Sequence, residues 1–142
     1  IKDKTYFVNN NLIIEKNLPL DKLEKKIDEC DIVICSGSKD NLFSSDFTTP
    51  LKLYDYMVRG RPIVAADTNA NKYILEKNKC AKFYNYDNPK NLSNTIVSLY
   101  DDNKERLRLS KNAWKASSNF DYIFRARKLL NEIEKYKNIR NM

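Results

Sequence analysis

Apolar residues along the chain recur in two spacings that alternate from one segment to the next. Short runs rich in β-branched residues predict strands, and apolar residues three and four apart predict amphipathic helices. The predicted strands cover residues 6–8 with 11–14, 32–35, 62–66 and 81–84. The predicted helices cover residues 19–29, 50–59, 70–77, 89–100, 103–117 and 121–137. This order predicts an α/β fold with a parallel sheet and helices on both faces, and the last helices are expected to pack outside the sheet.

Residues 48–65 predict a helix with an open amino end, followed by a buried strand. Thr48 or Thr49 can cap this helix, Pro50 suits its first position, and Gly60 suits a left-handed stop. Such a helix start offers backbone N–H groups and the positive end of the helix dipole, which together favour phosphate. It follows a loop at the carboxyl end of a predicted strand, where parallel α/β sheets bind their ligands. A phosphate-bearing ligand is therefore the first functional expectation.

The predicted helix 50–59 has a polar face and an apolar face. The polar face carries Lys52, Asp55 and Arg59, and the apolar face, expected to join the core, carries Leu51, Tyr54 and Val58. At a rise of 1.5 Å per residue, the acidic residue lies about 4.5 Å further along the helix axis than the lysine.

A diphosphate bound to the amides of Thr49 and Leu51 would leave its attached sugar near Asp55. A carboxylate at that place can accept hydrogen bonds from two vicinal hydroxyls, as in the recognition of a ribose. The simpler interpretation is that Lys52 and Asp55 form a surface ion pair worth a few tenths of a kcal/mol, next to a plain helix cap. The residues alone leave both interpretations open.

Composition narrows the function classes. With 142 residues, 42% hydrophobic and 32% charged, the chain suits one ordinary soluble domain. Histidine is absent, which removes imidazole bases, Ser-His triads and nearly all zinc sites. Gly37 and Gly60 are the only glycines, so neither a dinucleotide-binding loop nor a Walker loop can form. Cys30, Cys35 and Cys80 are widely spaced and are expected to be reduced, packed thiols of a cytoplasmic protein.

Two other classes stay open, the first of them because of the net charge of +7 and the nine tyrosines. A basic nucleic-acid-binding module should alternate basic and aromatic residues on one surface, whereas most aromatic residues here occupy positions expected in the core. The second class is a non-catalytic domain that kept the fold and mediates assembly. The positive charge also makes an anionic membrane surface a candidate partner.

The run P-L-K-L-Y-D-Y-M-V-R-G-R-P-I-V-A-A-D, Pro50–Asp67, resembles a known family signature. That signature, P-x-K-L-x-E-Y-M-A-x-G-K-P-I-V-A-S, belongs to the C-terminal domain of GT-B glycosyltransferases, family 4. The runs D-I-V-I-C-S and A-K-F-Y and the closing F-D-Y-I-F-R-A-R-K-L-L-N-E-I-E agree with the same frame. The resemblance implies the Rossmann-like C-terminal half of a GT-B fold. It also implies that residues 1–142 form one nucleotide-sugar-binding domain, as a fragment of a longer two-domain chain.

The chemistry implied by the resemblance is retaining glycosyl transfer from a nucleotide diphosphate sugar, without a metal or other cofactor, in the synthesis of a surface polysaccharide or related glycan. The donor-binding residues would be Thr48, Thr49, Leu51, Lys52 and Asp55, with Asp55 holding the ribose. The catalytic residues are expected upstream of this sequence and in a separate N-terminal acceptor domain, so the fragment alone is expected to be inactive. No nucleic acid is implied, and the expected location is the cytoplasm, at the inner face of the cell membrane.

Two positions depart from the family pattern. Phe47 stands where the first of two acidic residues is expected, which weakens the assignment of a donor-sugar contact. Asp55 replaces the second, a glutamate, and shortens its reach by one methylene. The basic Arg/Lys pair that faces the leaving diphosphate in the family would lie upstream of any residue that matches here.

Overall fold

The fold is seen in a computed structural model, which describes residues 5–9, 12–37, 46 and 50–140. The chain divides into two compact units, Ile1–Cys30 and Asp31–Met142. The assignment of the whole chain to one functional domain stays a prediction.

The first unit contains a β-hairpin and a helix. Strand β1 (Thr5–Asn9) pairs antiparallel with β2 (Leu12–Glu15), and helix α1 (Leu20–Glu29) follows. The carbonyl of Pro19 accepts from the backbone N–H groups of the first turn of α1, so this proline begins the helix as expected from the sequence. Ile27 is the buried residue of α1.

The second unit is built on a parallel sheet. Strand β4 (Ile63–Ala66) lies between β3 (Val33–Cys35) and β5 (Ala81–Tyr84), and both pairings are parallel. All four residues of β4 are fully buried, which is possible only when both faces of the central strand are covered. The predicted Rossmann-like α/β class is confirmed, with strands close to the predicted positions.

Helices connect and cover these strands. They are α2 (Lys52–Val58), α3 (Asn69–Leu75), α4 (Pro89–Asp101), α5 (Asn103–Ser117) and α6 (Tyr122–Arg140). The side chains of Thr68, Asn88 and Asp102 cap α3, α4 and α5, each accepting from the backbone N–H three residues later. Polar residues just before each helix therefore explain these three helix starts.

One face of the sheet packs against α4 and α5. Val64 and Ala66 of β4, with Tyr84 of β5, form a buried cluster with Leu99 of α4 and Leu109 of α5. Because side chains of a strand alternate between its faces, Ile63 and Ala65 belong to the opposite face, and they are also fully buried.

Helix α2 ends as the sequence predicts. Gly60 has a φ of 57°, and its N–H donates to the Met57 carbonyl at 2.9 Å. The next amide, that of Arg61, donates to the Tyr56 carbonyl at 3.0 Å. These two bonds form a Schellman motif, in which glycine supplies the left-handed residue.

The buried face of α2 is not the predicted one. Leu51 and Val58, expected in the core, are 79% and 56% exposed, whereas Leu53 and Met57 are fully buried. Helix α2 packs against α5 and β3, and that contact selects its Leu53 side. Apolar residues surround most of this short helix, so the sequence pattern could not distinguish the two faces.

The last helix also differs from expectation. Helix α5 packs against α2 and α4, outside the sheet as predicted. Helix α6, however, is exposed along residues 122–137 and contacts chiefly the single turn Ser118–Phe120 that precedes it. Its apolar residues Leu129 and Leu130 are 63% and 58% exposed, so the predicted packing of α6 is wrong. Over residues 5–9, 12–37, 46 and 50–140, no helix combines the length and apolarity that crossing a bilayer requires.

Candidate functional site

The site predicted from the sequence surrounds the loop that follows β3. Within this loop, Thr48 and Thr49, together with Phe47, lie outside the described residues. The predicted cap and the predicted phosphate-binding amide of Thr49 therefore stay predictions. The structure does place the strand end before the loop and the helix α2 after it.

A buried hydrogen-bond network joins the carboxyl end of β3 to α3. The Cys35 thiol donates to Asn71 Oδ1 at 3.6 Å, and Asn71 Nδ2 donates to the carbonyl of Ala66, the last residue of β4, at 2.9 Å. The backbone N–H of Asn71 donates to Thr68 Oγ1 at 3.3 Å. Only 2% of Asn71 is exposed, so its side chain fixes the strand ends rather than meeting solvent.

The first residues of the loop pass close to this network. A Cβ at Gly37 would lie 2.9 Å from Thr68 Cγ2 and 3.0 Å from the Ala66 Cβ, so only glycine fits without a shift of the neighbours. Burial raises the pKa of the Tyr84 hydroxyl, and a backbone hydrogen bond from Gly37 acts in the opposite direction. A second contact holds the far part of the loop, because Asn69 Nδ2 donates to Asp46 Oδ1 at 2.8 Å.

Lys52 lies within electrostatic reach of the same strand end. Burial raises the pKa of the Cys35 thiol, and the positive charge of Lys52 is the main influence that lowers it. The half-buried Lys52 therefore places a positive charge close to the carboxyl end of β3, where an anionic ligand of a parallel sheet is expected.

The first turn of α2 leaves a limited set of amides for a ligand. The amides of Leu53 and Tyr54 donate to the carbonyls of Pro50 and Leu51, both at 3.0 Å. These two amides are used within the turn, so an anion at this place would have to use earlier amides, such as that of Leu51. The predicted involvement of Leu51 is compatible with this geometry.

Asp55 lines a groove of about 850 Å³ that runs between α2 and α6. Leu51, Tyr54 and Tyr73 also line this groove, together with Phe120 of the turn that precedes α6. The rings of Tyr54 and Phe120 are 5.3 Å apart and inclined by 50°, a favourable aromatic contact. The groove has the mixed apolar and polar lining that is typical of small-molecule sites.

Lys52 and Asp55, which the sequence predicts to act together, have different surroundings. The charge of Lys52 acts on the Cys35 thiol at the end of β3, whereas Asp55 lines the groove one turn further along α2. In the part of the chain that the structure describes, no ion pair joins Lys52 to Asp55, so the simple surface pair allowed by the sequence does not form. Among the described residues, no ion pair occupies either charge.

Several features of the site are not visible in the sequence. Asn71 and Tyr84 shape the strand ends through long-range contacts, and nothing in their local pattern separates them from ordinary helix and strand residues. Among the described residues, the expectation that aromatic residues lie in the core is wrong for six, which are 46–85% exposed. These six are Tyr73, Tyr100, Trp114, Tyr122, Phe124 and Tyr136.

Comparison with known proteins bears on this arrangement directly. The model of the family described as glycosyl transferases group 1 matches residues 2–116. The chain belongs to this family. No curated protein matches the chain.

In this group 1 glycosyltransferase chain, the family match extends from the β1–β2 hairpin to the last turn of α5. The matched residues include Lys52, Asp55 and the Asn71 network, and α6 follows them. The match supports the resemblance to the C-terminal domain of a GT-B enzyme and gives glycosyl transfer as the class of chemistry.

Proposed function

We propose that the chain is the donor-binding domain of a retaining glycosyltransferase and holds a nucleotide diphosphate sugar at the carboxyl end of its parallel sheet. The observation that carries this proposal is that, among the described residues, Lys52 and Asp55 of α2 belong to no ion pair. In this proposal, Lys52, whose charge acts on the Cys35 thiol at the end of β3, binds the diphosphate, and Asp55, which lines the groove, binds the neighbouring sugar. Family membership supplies the reaction class.

In the proposed complex, the diphosphate lies at the start of α2. Lys52 balances its charge, and the amides of Thr49 and Leu51 donate to its oxygens, with Thr48 beside them. The ribose then lies near Asp55, which accepts from both of its hydroxyls. Because Asp55 is exposed in the groove and makes no described side-chain contact, it can turn towards the ribose without breaking a native interaction.

We propose that the groups that carry out the transfer lie in an N-terminal domain that also binds the acceptor, so the chain alone should bind the donor without transferring the sugar. No metal is required in this scheme, since lysine and backbone amides neutralise the diphosphate. The product would be a surface polysaccharide or related glycan, made in the cytoplasm at the inner face of the cell membrane.

The direct test is titration of the chain with the UDP, GDP and ADP forms of common sugars, followed by NMR and calorimetry. We expect one nucleotide class to shift the amide signals of residues 48–56. Asp55→Asn should weaken binding, whereas the matched variant Asp101→Asn, in the exposed last turn of α4, should not. No shift with any nucleotide would overturn the proposal.

Two competing functions predict other outcomes. A nucleic-acid-binding module, which the net charge of +7 and the exposed aromatic residues favour, would retain DNA or RNA with a steep dependence on salt. A non-catalytic assembly domain would bind neither nucleic acid nor nucleotide, even within the full-length protein.

A further inference from the structure

The groove next to Asp55 has a second wall that carries positive charge. Arg125 and Lys128 of α6 line it, and their spacing of three residues puts both on one side of the helix. Leu51 and Asp55 line the same groove. The space between the walls thus borders both parts of the proposed donor site.

Most of the charged side chains that line the groove form no hydrogen bond or ion pair with the described residues. Within the described residues, no hydrogen bond or ion pair engages the side chains of Asp55, Arg125 or Lys128. The remaining charged residue of the groove, Glu132, is held by Lys135 at 2.9 Å, and Lys128 acts on it only as the weakest influence lowering its pKa. Among the described residues, Arg125 and Lys128 therefore line the groove without a hydrogen-bonded or ion-paired partner.

We propose that Arg125 and Lys128 bind the diphosphate of the donor from the α6 side, across the groove from Leu51 and Asp55. This inference rests on the proposed function and adds a second set of phosphate ligands to it. A guanidinium matches two phosphate oxygens at once, and an ammonium adds a point charge, so the pair suits a diphosphate better than a neutral sugar. The groove volume of about 850 Å³ is in the range that holds such ligands.

Helix α6 lines the groove with Arg125 and Lys128 together with the apolar residues Phe124 and Leu129. A helix that turned its Arg125 side into the protein interior would lose these charges to burial or to ion pairs.

The test compares nucleoside diphosphates with the corresponding nucleosides. The double variant Arg125→Gln/Lys128→Gln keeps the length of both side chains and removes both charges. We expect it to bind the diphosphate about tenfold more weakly, as the loss of two exposed charge contacts predicts, and to bind the nucleoside as the wild type does. Arg127→Gln is the matched control, because Arg127 is exposed on α6 and does not line the groove. It should change neither affinity more than about twofold.

The outcomes separate the two proposals. If the wild type binds a diphosphate and Asp55→Asn weakens it, but the double variant binds normally, the role of α6 is wrong and the proposed function stands. An equal loss in Arg127→Gln would show general charge attraction and would also refute the role of α6. If the wild type binds no nucleotide, the proposed function is wrong, and the role of α6 that rests on it is wrong as well. Circular dichroism of each variant verifies that the helices are intact.

Discussion

Replacing Gly60 tests the link between a local sequence signal and the position of the site. This residue ends α2 with a φ of 57° and leads into β4, so it fixes the helix that carries Lys52 and Asp55. The Ser110 hydroxyl donates to its carbonyl, which ties the same turn to α5. A residue that resists the left-handed conformation should therefore strain the connection between helix and sheet.

The structure separates conformational strain from crowding at this position. An alanine Cβ would lie 3.4 Å from the Trp114 Cβ and 3.5 Å from the Ser110 carbonyl oxygen, which are ordinary contact distances. Gly60→Ala should therefore cost only the left-handed strain, about 1–2 kcal/mol of unfolding free energy. Gly60→Val should cost more, because a β-branched side chain rarely adopts positive φ. Gly60→Asn should cost less than alanine, since asparagine tolerates this conformation.

The assay is urea unfolding followed by circular dichroism, with the unfolding midpoints of the variants compared under identical conditions. The expected order of stability is glycine, asparagine, alanine and valine. Equal stability of Gly60→Ala and wild type, or a loss in Gly60→Asn as large as that in Gly60→Val, would refute the argument. In that case, crowding or the Ser110 contact, and not backbone conformation, would control the turn.

Three further outcomes are expected. Asp55→Ala, made in the full-length protein, should weaken donor binding by about 1–3 kcal/mol and leave the melting temperature unchanged, as calorimetry and thermal unfolding can verify; wild-type affinity would exclude the ribose role. Asn71→Ala should lower the unfolding free energy by about 1–3 kcal/mol, because it leaves the Cys35 thiol and the Ala66 carbonyl without their buried partner; a loss below the error of urea titration would show that the network is not structural. Burial raises the pKa of the Cys80 thiol from 9.0 to about 11, so the folded state favours the neutral thiol. This preference stabilises the folded state fully below pH 9, and the stabilisation should be lost as the pH rises towards 11. Cys80→Val should remove this part of the alkaline destabilisation, and identical pH profiles of the two proteins would contradict it.

The order of strands and helices was predictable because it depends on local patterns. The β-branched runs of β3 and β4 differ clearly from the helical spacing around them. Gly60 marked the end of α2 because almost no other residue accepts its backbone conformation cheaply. Lys52 and Asp55 were placed correctly on α2 for the same reason, since they lie in a well-marked helix.

The buried face of α2 depended on the tertiary structure. Leu51, Leu53, Met57 and Val58 are all apolar, and the face with Leu51 and Val58 was the one predicted to join the core. Contact with α5 and β3 buried Leu53 and Met57 and left the other two in solvent. The free energy gained by burying a side chain depends on which other elements pack against it, and the sequence pattern of one helix does not contain that information.

The sequence by itself determined the α/β order, the glycine stop after α2 and the family signature, because each is written in residues that are close together along the chain. Only the tertiary structure decided that Asn71 joins Cys35 to the end of β4, and that Asp55 shares a groove with Arg125. Those residues are separated by 36 and 70 positions, respectively. Contacts over such distances come from the packing of whole elements, and a local pattern does not encode them.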